Sequence, residues 1–404
     1  MNICFVAYHF SIQSRASDSG FLWPLARGLV SAGHQVTVLS ARSHLKKAET
    51  TREGVHVYYL QEGKRSTSRF SFEKAAFLKF KELHNSAPFD IVHSLDSTGY
   101  RIGRLKKKLK FKMTYDVEAT QLAQCFAILS MQEDTLSSFL TTFTALTYKF
   151  LTTYLGSDRF ILKTADGVFV TTPQQRVALE RYYLYPDFHI YSAPYGAPEA
   201  LDFISSETPE NLKTKFNFPQ NAHILLAFSD MTYPEEIKPL LRAFEKVVLQ
   251  KPNCYLVILG QGPKWKEVEF EVLSLVLGNF VRMVGSVSEE DQRSYMEMSE
   301  VFVNLSSRIS GYDSLLIEAM IQKKIVIGSE MSSAAQLIED GIEGFLIRPA
   351  DVESLSSLLL AVFTGKLPVQ EVGEKAAKKI KDLFDKSKMI HQVELAYKRV
   401  LEVS

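Results

Sequence analysis

The sequence predicts an α/β protein of two Rossmann-like βα domains facing across a cleft. Its 404 residues exceed what one ordinary core organises and suit two domains. Short runs rich in Val, Ile and Phe alternate with helical patterns, first over 2–171 and again over 224–363. Between the two arrays the pattern loosens to a polar stretch after Ala193-Pro194-Tyr195-Gly196-Ala197-Pro198. The expected division is a first domain at 1–198, a linker at 199–221 and a second domain at 222–385.

The elements follow in order. Residues 1–7, Met-Asn-Ile-Cys-Phe-Val-Ala, lack a basic leader and a small-residue cleavage site, so they read as the first buried strand. Further strands are expected at 35–40, 55–60, 90–95, 112–117 and 166–171, with helices such as 21–32 and 72–83 between them. Several of these runs are continuously apolar, as in a parallel sheet covered on both faces. The second array offers strands at 224–229, 255–260, 280–285, 301–305, 325–328 and 344–347. Its helices are expected at 236–249, 264–277, 289–298, 314–322 and 352–363, the last with Asp351 as N-cap. A final helix spans about 389–401.

Composition excludes several classes. Hydrophobic residues at 46% and charged residues at 23% are ordinary for a soluble globular chain, and a net charge of +1 gives no case for nucleic acid. Cys4, Cys125 and Cys254 have no metal-ligand spacing, and Cys4 and Cys254 sit in strand-like runs that suit small core residues in a reducing, cytoplasmic compartment. No apolar run is long and charge-free enough for a membrane span. The first βα turn, 8–20, lacks G-x-G-x-x-G, and the second strand ends in Leu39-Ser40-Ala41 without an acid for a ribose hydroxyl. Both features argue against a dinucleotide oxidoreductase.

The most informative stretch is 311–351. Leu315-Leu316-Ile317-Glu318-Ala319-Met320 has helical spacing with one acid among apolar neighbours. A carboxylate there is costly unless something pairs with it, and a ligand hydroxyl is one such partner. Together with Gly33-His34-Gln35-Val36-Thr37-Val38, Asp90-Ile91-Val92-His93, Pro194-Tyr195-Gly196 and Gly260-Gln261-Gly262-Pro263, this stretch resembles the retaining GT-B glycosyltransferases of family 4, the glycosyl transferases group 1. Each motif alone is weak; their common order carries the resemblance over most of the chain.

The resemblance implies a sugar transferred, with retention, from a nucleotide-diphosphate donor to a cell-envelope glycan or lipid-linked acceptor. The donor is a substrate; no cofactor and no metal is called for by any motif. A C-terminal helix, 386–404, packs back on the first domain in such proteins. Glu318 matches the second of two family glutamates eight residues apart, the one that accepts hydrogen bonds from the nucleotide ribose, while Ser310 stands at the first. Gly311, Tyr312, Asp313 and Ser314 fill the loop before it, and Asp313 or Ser314 also reads as a helix N-cap. Gly20 matches the second glycine of a phosphate-approaching pair, with Ser19 at the first, and reads alternatively as a turn glycine. Gly262 belongs to the G-x-G-P turn on the donor side.

Departures matter. Asp230 and Glu235 stand where the family places an arginine and a lysine for the pyrophosphate. A carboxylate there repels a diphosphate by roughly several kcal/mol before screening. Lys238 or Arg308 could substitute from off the motif. Asp116 and Glu118 end a first-domain strand and read either as acceptor-side catalytic groups or as polar strand-end residues. The rival expectation is a non-catalytic homologue, a glycan-binding or partner subunit. Two surfaces suggest partners: the basic run 101–112, and a charge-poor amphipathic helix at 136–155. They point to a homodimer contact or to peripheral contact with the inner face of a membrane.

Overall fold

The apolar runs of the sequence become parallel strands in the computed structural model of the protein. It describes residues 1–8, 10, 22–42, 47–61, 68–117, 143–144, 147, 158–193, 207–306, 312–332, 334–348 and 350–402, without the side chains of 235, 289 and 290. The chain divides into two compact units, Met1–Pro198 with Phe384–Ser404, and Glu199–Leu383.

The first unit carries β1 (Asn2–Val6), β2 (Gln35–Ser40), β3 (Glu49–Arg52), β4 (Val55–Tyr59), β5 (Ile91–Ser94), β6 (Lys112–Asp116), β7 (Gly167–Val170) and β8 (Ile190–Ser192). They form one sheet in the order β3-β4-β2-β1-β5-β6-β7-β8. Every pair is parallel except β3 with β4, and Ile3 lies opposite both Val36 of β2 and Ile91 of β5. All residues of β5 and β7 are buried, which is why those strands lack polar alternation. Strands β3 and β8 were not expected. Glu-Thr-Thr-Arg is a largely exposed edge strand without an apolar face, and Ile-Tyr-Ser is too short to show a period.

The closing helix Lys386–Glu402 belongs to this unit. Its Met389, Val393, Ala396, Tyr397 and Val400 are buried with Ile3, Phe5, Leu22 and Leu25 in one core. Gly28 makes room for it: a Cβ there would lie 2.1 Å from Ile390 Cδ1.

The second unit carries β9 (His223–Phe228), β10 (Cys254–Leu259), β11 (Val281–Gly285), β12 (Val301–Asn304), β13 (Ile325–Ser329) and β14 (Phe345–Ile347). Their order is β11-β10-β9-β12-β13-β14, and all neighbours are parallel. The chain therefore leaves β9 outward through β10 to β11 and returns on the other side at β12. The two Rossmann-like α/β units are thus as the sequence predicts.

The polar stretch at 199–221 is not wholly a linker. It contains the helix Pro209–Lys215, capped by Thr208, whose Oγ1 accepts from Asn211 N at 3.3 Å. Leu212 is buried and the Phe216 ring stacks on Tyr295 of the helix Glu289–Met298. Few apolar residues anchor it, so its sequence reads as loop. The helix expected at 136–155 lies outside the described residues apart from Phe143, Thr144 and Thr147, as do Gly20, Glu118, Cys125 and Gly311. Among the described residues no helix is long and apolar enough to cross a membrane.

Candidate functional site

In an open parallel sheet the carboxyl ends of the strands leave a crevice where the strand order reverses, and ligands bind there. Here the reversal falls between β9 and β12. A cavity of about 290 Å³ occupies that position in the second unit. Its lining comes from the end of β9 with Ser229 and Asp230, from Glu236, Ile237 and Leu240, from the end of β12 through Ser306, from Tyr312 to Ser314, and from Ser332 and Ala334 beyond β13.

Local hydrogen bonds shape each edge. Ser229 Oγ accepts from Met231 N at 3.1 Å, and Asp230 Oδ1 accepts from Thr232 N at 3.0 Å. These bonds curl the chain sharply off β9. The turn after β10 is pressed against that curl. A Cβ on Gly262 would lie 1.7 Å from the Asp230 carbonyl oxygen, and one on Gly260, at φ +106, would lie 2.0 Å from that of Ser229. Gly262 therefore shapes the cavity wall from behind and is not among the lining residues.

On the other side, Asn304 ends β12. Its Oδ1 accepts from Ser306 N at 3.0 Å and its Nδ2 donates to Asp313 Oδ2. Ser306 Oγ in turn donates to Glu236 Oε1 at 3.0 Å. Asp313 caps the helix Ser314–Ile321, its Oδ1 accepting from Leu315 N at 2.9 Å. Burial pushes the Asp313 carboxyl above the usual carboxylate range, against the pull of Asn304 and the backbone N–H groups of Leu315 and Leu316. Burial likewise raises the Tyr312 phenol.

The described lining thus holds the carboxylates of Asp230, Glu236 and Asp313, several hydroxyls, and no lysine or arginine. Lys238 turns to Glu267, Nζ to Oε1 at 2.7 Å, and is not in the lining. Arg308 and Ser310 lie outside the described residues, as does the Glu235 side chain. Among the described residues no group of three or more His, Cys, Asp or Glu is placed to hold a metal.

Of the residues expected from sequence, Tyr312, Asp313 and Ser314 come together in this lining. Glu318 lies one helical turn beyond Ser314 on the same face, half-buried and outside the lining. Its Oε1 accepts from Gln322 Nε2 at 3.1 Å. Burial raises its carboxyl, and the Arg293 guanidinium opposes that rise. Asp116 belongs to the first unit and does not present an open strand-end carboxylate. It is 4% exposed and lies with Oδ1 3.3 Å from His93 Nε2, while His93 Nδ1 lies 2.7 Å from the Tyr397 hydroxyl of the closing helix. Desolvation drives this inward arrangement, since a buried carboxylate needs partners. Asn304, Ser306, Glu236 and Ser332 were not singled out from sequence. Their only signal is position, at or just past the ends of β12 and β13 or before the helix Lys238–Gln250.

Residues 209–380 match the family described as "Glycosyl transferases group 1", and residues 21–190 match the "Glycosyl transferase 4-like domain". The chain is similar to the amylovoran biosynthesis glycosyltransferase AmsK of Erwinia amylovora, 24% identical over 164 residues, 39% of each chain. It is also similar to the phosphatidyl-myo-inositol mannosyltransferase of Mycolicibacterium smegmatis, 22% identical over 344 residues, 84% of this chain and 78% of that one. The matches to the first curated relatives span half of their length or less, 39% and 50%. Among solved structures, Anabaena Alr3699/HepE in complex with UDP and glucose superposes with a TM-score of 0.70 at 15% identity, covering 98% of both chains. At that identity the likeness speaks for the fold.

Proposed function

Because this chain belongs to the glycosyl transferases group 1 and has their GT-B fold, we propose that it moves a sugar from a nucleotide-diphosphate donor to a hydroxyl acceptor. The observation that carries this reading is the cavity at the strand-order reversal between β9 and β12, open to the N-terminus of the helix Ser314–Ile321. It has room for a nucleoside, with hydroxyl and amide groups from Asn304, Ser306, Ser314 and Ser332 placed to orient one. Glu318, one turn further along the same helix face, is the proposed partner of the ribose hydroxyls.

Catalysis in this reading is mainly positioning and charge stabilisation. The acceptor oxygen bonds to the anomeric carbon as the bond from that carbon to the diphosphate oxygen breaks. The acceptor proton passes to the departing diphosphate, and the new bond forms on the face the leaving group vacates, giving retention. We assign the acceptor to cell-envelope glycans or lipid-linked glycans, and the chain to the cytoplasm with peripheral contact at the inner membrane face or as a homodimer. The support is the resemblance and the names of AmsK and the mannosyltransferase. Neither calls for a cofactor.

A second reading has its own observation. Asp230, which stands where the resemblance places an arginine, lines the cavity, and this suits a partner subunit that kept the fold without the transfer chemistry. Calorimetric titration with UDP-, GDP-, ADP- and dTDP-sugars separates the two. Saturable binding with slow hydrolysis or transfer supports the enzyme; binding of none of them removes the donor-site reading.

A further inference from the structure

A surface helix turns one apolar side to its core and charged residues to solvent. The helix Trp265–Ser274 has two apolar sides. Val268 and Val272 are buried in the core of the second unit, with Trp265 and Leu275 packed against it. On the outer side Phe270 is 70% exposed, Leu273 64% and Val276, just past the helix end, 83%. Ion pairs from Lys238 to Glu267 at 2.7 Å and from Arg242 to Glu271 at 3.1 Å run this helix alongside Lys238–Gln250 in the same direction. They put Leu249, 79% exposed, at the same end as Leu273 and Val276. The four side chains expose roughly 400–500 Å², the size at which apolar surface marks a contact. The chain around them, 236–288, is described without a gap. Val276 adds a second sign. Its φ is +57, in the left-handed region where a helix end normally places glycine. A β-branched residue is strained there, and with its side chain in solvent the strain brings the monomer no packing.

The charges beside the patch indicate what covers it. Lys266 and Glu269 are exposed one helical turn from Phe270 and Leu273 on the same outer side, and neither forms an ion pair among the described residues. One cation and one anion give no net attraction to an anionic membrane, which calls for cations alone. They suit a second copy. A two-fold contact sets the same patch of both copies face to face. With the two helices antiparallel, Lys266 of one copy meets Glu269 of the other, and the pair forms twice around the packed Phe270 and Leu273. We propose that Leu249, Phe270, Leu273 and Val276 form the two-fold contact of a homodimer, registered by Lys266 and Glu269. With its polar rim the patch approaches the roughly 800 Å² per copy of a standard interface. This rests on the homodimer assignment above, gives it a surface in the second unit, and does not depend on the donor cavity.

The test is analytical ultracentrifugation of the full chain and its variants, with thermal unfolding as the check on folding. The wild type should be a dimer at micromolar concentration. Leu273→Glu should weaken association about a hundredfold or more, because it buries a charge against its own copy. Lys266→Glu and Glu269→Lys should each weaken it about tenfold, because each sets like charges together. The double exchange Lys266→Glu with Glu269→Lys should return it to within about threefold of the wild type, since the two sites couple. Val276→Gly should weaken association without lowering the unfolding midpoint of the dissociated chain, because glycine removes the backbone strain. A wild type that stays monomeric up to roughly 100 μM overturns the homodimer assignment and this proposal together. A dimer that survives Leu273→Glu, or that the double exchange does not restore, overturns this surface and leaves the dimer to another contact. Flotation of the wild type with vesicles that is lost in Leu273→Glu puts a membrane on the patch and overturns the proposal as well.

Discussion

At the scale of single residues, polar groups divide into those that serve the fold alone and those that also line the cavity. Asp116 illustrates the first kind: it lies against His93, whose other ring nitrogen meets the Tyr397 hydroxyl, and so a strand end is tied to the closing helix. Asp313 illustrates the second, because one carboxylate caps a helix and lines a cavity at once. Glu318 lies between them, half-buried with Gln322 as a hydrogen-bond partner. If it receives ribose hydroxyls, Glu318→Ala should weaken nucleotide-sugar binding by roughly 1.5–3 kcal/mol, the scale of a lost charge-assisted hydrogen bond. Titration against the preferred nucleotide sugar measures this, and equal affinity in a folded variant takes Glu318 out of the site. Its carboxylate was legible as an oddity in an apolar run. Its distance from the lining was not, because that depends on how far round and along the helix the cavity extends.

At the scale of elements, the βα repeat was legible nearly to its ends. The helices Glu289–Met298 and Val352–Phe363 and the strand β2 have the expected bounds, because their periods and caps are local. Elements whose stability comes from neighbours were missed. Strand β3 exists because β4 offers an open edge, and Pro209–Lys215 exists because the helix Glu289–Met298 offers Tyr295. The turn at Gly260-Gln261-Gly262 was legible as a motif, but its task is a close backbone approach. Gly262→Ala would force the Asp230 carbonyl away, and we expect a loss of roughly 1–3 kcal/mol of stability from overpacking. Thermal or urea unfolding reads that loss directly. An unaltered midpoint with unaltered ligand binding would show that the curl after β9 gives way freely.

At the scale of the whole molecule, surface charge bears on where the protein works. The basic run at 101–112 divides on folding. Arg101 pairs with Glu73 at 3.2 Å and Lys106 with Asp166 at 2.8 Å, while Lys107, Lys108 and Lys110 stay exposed. If the protein attaches to an anionic membrane face, these three carry the attraction. Changing them together to Glu should abolish flotation with phosphatidylglycerol vesicles, and added salt should weaken flotation of the wild type. A wild type that ignores such vesicles removes peripheral attachment through this run. The sequence by itself determined the two βα arrays, because hydrophobic period, turn glycines and caps act within a few residues. It also carried the family, because motif order survives along a chain. Only the tertiary structure decided which strand ends meet. In the second unit the pairing of β9 with both β10 and β12 brings Asp230, Glu236, Asn304 and Asp313 around one cavity, and in the first unit the pairing of β5 with β6 sets Asp116 against His93, which in turn meets Tyr397. Glu236 and Ser306 lie 70 positions apart and His93 and Tyr397 304, and burial, which no local pattern encodes, sets whether each carboxylate lines a cavity or meets a core partner.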